Sequence, residues 1–189
     1  MKALILLLLT TTLCLGQDVN RRTQWPLTVT IFSESIGLPN FRNVFKNGNL
    51  GVRIGTELFY RQGRTSQWLQ TFQVGYYTHR EWHQGFFVKS EVGYRRFFNH
   101  TFADVTFGAG YLLAKSELPR YSSIGQDFKK MNATFGRLMP TLGIGAGYQF
   151  KSFSLFSRYE VFGEMPFGYG GLPVLPHKTI HVGTRFNVN

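Results

Sequence analysis

Apolar and polar side chains alternate along most of this chain with a period of two, and each alternating stretch predicts a β-strand with two unlike faces. The clearest covers residues 50–61, where Leu50, Val52, Ile54, Thr56, Leu58 and Tyr60 alternate with Gly51, Arg53, Gly55, Glu57, Phe59 and Arg61. Farther along, Phe86, Val88, Ser90, Val92 and Tyr94 oppose Phe87, Lys89, Glu91, Gly93 and Arg95. Ala103, Val105, Phe107, Ala109 and Tyr111 oppose Asp104, Thr106, Gly108 and Gly110, and Leu142, Ile144, Ala146, Tyr148 and Phe150 oppose Gly143, Gly145, Gly147 and Gln149. Stretches at 27–33, 68–80, 153–162 and 178–188 bring the predicted strands to eight. Their lengths suit the roughly 9 to 11 residues that a tilted strand needs to cross a membrane's hydrocarbon layer.

The two faces decide between a membrane barrel and a soluble one. A lipocalin-like barrel turns its apolar face inward around a ligand cavity. In the stretches at 50–61, 86–95 and 103–111 one face is free of charge and carries Tyr60, Tyr94 and Tyr111 near its ends, as a lipid-facing band with aromatic girdles does. The other collects Arg53, Glu57, Lys89, Glu91, Arg95, Asp104, Arg158, Glu160 and Arg185, which would line a fat-binding cavity badly but can neutralise one another in a filled lumen. Within that set Glu91 is expected to pair with Lys89 and Arg95 on its own strand. The predicted fold is all-β: an eight-stranded, antiparallel, up-and-down transmembrane β-barrel with a plugged polar lumen.

Connection lengths agree with an alternation of short and long ends. Residues 62–67, 98–101 and 151–152 make short turns, whereas 34–48, 116–139 and 163–177 make long external loops. The short connection at 81–83 departs from the rule. Pro140, which has no N–H for a ladder, is expected at the outer start of the sixth predicted strand.

Lys2 followed by the apolar run 3–13 reads as a signal peptide, with cleavage after Gly16 and a barrel domain over 17–189. The alternative, a lipoprotein acylated at Cys14, suffers from Leu13 standing where a lipobox needs a small residue. Cleavage would remove the only cysteine and so exclude a disulfide scaffold. It would also remove one lysine from a formal charge of +11, leaving a strongly basic chain whose export excludes nucleic acid as a partner. A mean hydropathy of −0.13 looks soluble, but alternation hides a barrel's apolar band in any average.

The glycine-aromatic pairs Gly75-Tyr76, Gly93-Tyr94, Gly110-Tyr111 and Gly147-Tyr148, with a terminal amphipathic strand, resemble the small Gram-negative outer-membrane barrels of the OmpA/OmpX type, and more specifically the outer-membrane barrel proteins of the Bacteroidota. The resemblance implies an outer-membrane location and the barrel-assembly machinery as a partner. Such families end on an aromatic residue; here Phe186 is followed by Asn187, Val188 and Asn189.

Nucleotide loops, CxxC pairs, HExxH helices and Gly-x-Ser-x-Gly elbows are missing from the sequence, so neither cofactor nor metal is expected and enzyme activity is not the leading reading. The leading reading is a structural or binding module acting through external loops. Met165, Phe167, Tyr169 and Leu172 offer apolar anchors in the loop 163–177, and Arg120, Lys129, Lys130 and Arg137 in the loop before it suit the phosphates of outer-membrane lipids or lipopolysaccharide, or an extracellular protein or ligand. Two alternatives stay open. One is a lipid-modifying enzyme with His79 and His177 at the outer rim, near His83 and His181; the other is a narrow porin-like channel. Sequons at Asn99 and Asn132 are read as chance matches in a bacterial barrel.

Overall fold

A computed structural model of the chain describes residues 25–36, 49–79, 83–116, 120–124, 127–131, 134–166 and 173–186, with the backbone alone at 79, 83, 116, 120–124 and 127–131. The expected signal peptide and its cleavage site lie outside these residues. The strands are β1 (Leu27–Ile36), β2 (Leu50–Gln62), β3 (Ser66–His79), β4 (His83–Phe98), β5 (Thr101–Ser116), β6 (Arg120–Ile124), β7 (Asp127–Met131), β8 (Thr134–Gln149), β9 (Phe153–Glu164) and β10 (Leu175–Phe186). Eight of them close into one barrel in the order β1-β10-β9-β8-β5-β4-β3-β2, and every neighbouring pair is antiparallel. The remaining two, β6 and β7, form a separate hairpin between β5 and β8. Closure leaves the eight-strand sheet no unpaired edge, the condition a sheet must meet in hydrocarbon.

The period of two separates the faces as the sequence predicts. Side chains such as Ile31, Val52, Val92, Phe107, Leu142 and Val182 stand exposed on the outer wall, Phe107 at 67% and Val182 at 62%, while Glu91 on the inner wall is fully buried. A water-facing outer wall of that composition would be unfavourable at every strand; a lipid-facing one is not.

At one end the turns are tight, and β4 to β5 needs only Asn99 and His100, with Asn99 at φ 57°. That end is the periplasmic one in barrels of this kind. At the other end the strands differ in height. β1 has 10 residues, whereas β4, β5 and β8 have 16 each, about five more than a tilted crossing needs. Their surplus adds height to the wall, and the β6–β7 hairpin lies in the connection between β5 and β8. The short connection after β3 does not disturb the count, since β3 and β4 stay in register to His79 opposite His83.

Two expectations are corrected. Pro140 lies inside β8, opposite Ala109 of β5, and not at its start. The β8–β9 ladder runs from Gln149 to Thr141, then skips, and resumes where Leu138 and Met165 exchange bonds of 2.7 and 2.9 Å. Proline occupies the gap, so its missing N–H leaves no donor bond broken. The second concerns Arg61. The register shifts between Phe59 and Arg61, and the bulge turns Arg61 to an exposed position opposite Trp68, out of the lumen.

Candidate functional site

The lumen is filled by two layers of different chemistry. Toward the external end Phe32, Tyr77, Phe87, Leu112, Ala114, Met139 and Phe162 make a buried apolar cluster. The rings are seated by glycines on the partner strand: Phe32 faces Gly51, Phe87 faces Gly75, and Tyr77 faces Gly85 across their ladders. At Gly75 an added Cβ would lie 2.3 Å from the Phe87 ring, so any side chain there would displace it.

Nearer the short-turn end lies an ion network that draws on five strands, β2, β4, β5, β9 and β10. Arg95 donates from Nη1 and Nη2 to the two oxygens of Glu57, at 2.9 and 2.8 Å, and reaches Asp104 at 3.1 Å. Arg185 donates to Glu57 at 3.2 Å. Lys89 lies 3.1 Å from Glu91 and also donates to Glu160, which accepts from Arg53 at 2.9 Å. Arg158 bridges Glu91 and Asp104, each at 3.4 Å. All nine of the lumen residues singled out from the sequence are thus buried and brought together. One pairing differs: Glu91 meets Lys89 and Arg158, while Arg95 takes Glu57 and Asp104 instead. Two residues along a strand are about 7 Å apart and four are about 13 Å apart, so Arg95 must find its partners across the sheet.

A second polar group sits at the external end, and its members lie where loops were expected. Glu34 belongs to β1, Glu164 to β9 and Arg137 to β8. His177 is fully buried between the two carboxylates, with Nδ1 2.6 Å from Glu34 and Nε2 3.2 Å from Glu164, and it stacks on Phe162 at 4.5 Å. Arg137 donates to Glu164 at 2.6 Å, and the Tyr77 hydroxyl donates to it at 3.4 Å. His181 is likewise buried, 2.7 Å from the Thr179 hydroxyl and 3.6 Å from Glu160. Both histidines of β10 therefore face inward and are sealed from the rim. His79 and His83 end β3 and begin β4 opposite each other. Arg137, expected in the external loop, is instead a lumen residue, and its partner Glu164 lies on the neighbouring strand.

Of the expected loop anchors, Met165 extends β9 beside Leu138, while Phe167, Tyr169 and Leu172 lie outside the described residues. Lys129 and Lys130 stand on β7, opposite Ser122 and Tyr121. No group of three or more His, Cys, Asp or Glu positioned to hold a metal ion occurs among the described residues.

Solved structures share this architecture. Neisserial surface protein A superposes with a TM-score of 0.57, at 9% identity, over 87% of this chain and 96% of its own. The attachment invasion locus protein of Yersinia pestis, Ail, solved with the heparin analogue sucrose octasulfate, gives a TM-score of 0.52 at 13% identity, over 89% of this chain and all of its own. The fold is that of the small bacterial outer-membrane β-barrels. No protein-family model matches the chain, and no curated protein does. The barrel thus carries a known fold, with a charge-filled lumen, a buried histidine between two carboxylates and a separate hairpin in the connection from β5 to β8.

Proposed function

We propose that the protein is a sealed outer-membrane platform that binds anionic envelope or cell-surface ligands through its external connections and conducts no solute. The observation that carries this reading is the contrast between the barrel and its connections: the cross-section is packed with side chains, while β4, β5 and β8 are longer than a membrane crossing needs and the connection between β5 and β8 forms a hairpin of its own. That hairpin carries Arg120, Lys129 and Lys130 against a single acid, Asp127. The connection 165–174 leaves β9, which pairs with β8, so its Met165, Phe167, Tyr169 and Leu172 start next to the strand into which the hairpin returns. Basic and apolar residues rising from adjacent strands suit a sulfated or phosphorylated glycan, including the phosphates of lipopolysaccharide. Ail, of the same fold, was solved with a polyanion. Insertion would use the barrel-assembly machinery, with β10 as the terminal strand.

Rim catalysis by His79 and His177 has less support, because His177 is enclosed by Glu34, Glu164 and Phe162. The test is binding of barrel refolded in phospholipid vesicles to immobilised heparin and to lipopolysaccharide. Reversing Lys129 and Lys130 to Glu is expected to weaken both at least tenfold, with a heat-modifiable barrel retained and no step conductance in planar bilayers. Unchanged binding, or regular conductance steps, would contradict the proposal.

A further inference from the structure

At the short-turn end the barrel mouth holds an open cavity of about 320 Å³, within the size range of small-molecule sites. Its wall includes Arg185, Arg64, Gln62, Gln67, Gln149 and Phe97. Arg185 is the unusual member. The ion network around it counts five cations, Arg53, Lys89, Arg95, Arg158 and Arg185, against four carboxylates, Glu57, Glu91, Asp104 and Glu160. Arg185 and Arg158 are the two arginines of the network left with an unpartnered Nε–H among the described residues, and of the two Arg185 lines the cavity. Arg185 is 4% exposed, yet its one hydrogen bond among the described residues goes to a Glu57 oxygen that already accepts from Arg95 at 2.9 Å. Its buried Nε–H has no partner among the described residues, and the guanidinium carbon lies over the Phe102 ring, 5.0 Å from its centroid.

A guanidinium offers five N–H donors, and a buried one is stable only when its charge and donors are met. Arg185 lines an open cavity with one positive charge in excess. A carboxylate supplies one negative charge and two acceptor oxygens, the geometry an arginine fork takes up. A phosphate dianion would overshoot the buried excess. The cavity is also larger than a bare carboxylate needs, and amide side chains surround it.

We propose that the short-turn mouth is a binding site for a carboxylate-bearing ligand of about dipeptide size, held by Arg185 with Arg64 at the rim and entering from the periplasmic side. Nothing in the external-loop reading requires this site, so the two stand or fall separately.

The experiment uses the full chain refolded in detergent micelles with ¹⁵N-labelled arginine. The probes are N-acetyl-Ala-Ala, its C-terminal amide, acetate and sulfate. The expected result is a saturable shift of the Arg185 Nε–H resonance with the peptide acid, at least tenfold weaker binding of acetate, and no saturable response to the amide. Arg185→Lys is expected to lower affinity at least tenfold with heat-modifiable mobility kept, and Arg64→Gln severalfold. Should Arg185→Lys fail to fold, Arg64→Gln and the wild-type titrations still decide. Equal response to acid and amide, or to sulfate, would overturn carboxylate recognition. Acetate binding as tightly as the peptide would overturn the dipeptide assignment, and affinity unmoved in the variants that fold would overturn the site.

Discussion

Glu91 is fully buried and is met from four strands: by Lys89 on its own β4, by Thr71 and Gln73 on β3, by Thr141 on β8 and by Arg158 on β9. Removing one member of such a group leaves the others charged and unpaired, which costs far more than the intact group contributes. Glu91→Ala is therefore expected to destabilise the barrel by about 3 to 5 kcal/mol, read from urea unfolding in lipid vesicles. A loss under about 1 kcal/mol would mean that water reaches the site and screens it. The alternation of charge and glycine with apolar residues made this residue legible as a lumen carboxylate. Of its partners only Lys89, on the same strand, is legible in this way; Thr71, Gln73, Thr141 and Arg158 are set by strand order and by reach across the lumen. Gly75 and Phe87 illustrate the same limit. Each is an inward position in its own strand, but only the β3–β4 register sets the ring on the glycine.

The strands were most legible where they meet lipid, because only there do they need an apolar face as well as a polar one. Above the hydrocarbon layer the pairing continues while the contrast between faces fades: Ser33, Glu34 and Ser35 are all polar and all buried. For this reason the sequence pattern alone places the ends of β1, β8 and β9, with Glu34, Arg137 and Glu164, in loops. Pro140 misled in the same direction, since a proline inside a barrel strand is acceptable only opposite a gap in the ladder, which sequence does not reveal. Within the lipid zone the two faces make opposite demands on substitution. Val92, next to Glu91, is 48% exposed on the outer wall. Val92→Arg is expected to cost about 2 to 4 kcal/mol in the same vesicle unfolding experiment, as charge does on a lipid face near the bilayer midplane. A harmless Val92→Arg would reverse the assignment of faces.

The whole molecule is a closed wall around its own counter-ions. An eight-stranded barrel is just wide enough for side chains to fill, and here they do so in an ionic layer and an aromatic one. That packing makes the barrel itself rigid, and both proposed recognition sites lie at its ends, in the external connections and at the short-turn mouth. The sequence pattern does not predict the hairpin β6–β7, because its ten strand residues lack the alternation that a lipid face imposes. The central claim is that this filled barrel resides in the outer membrane with its apolar wall in lipid. The direct measurement is membrane fractionation of the expressed full-length chain, followed by electrophoresis with and without heating. The account predicts recovery in the outer-membrane fraction, resistance to carbonate extraction, and a folded band that changes mobility on boiling; recovery as a soluble periplasmic protein with heat-independent mobility would contradict it.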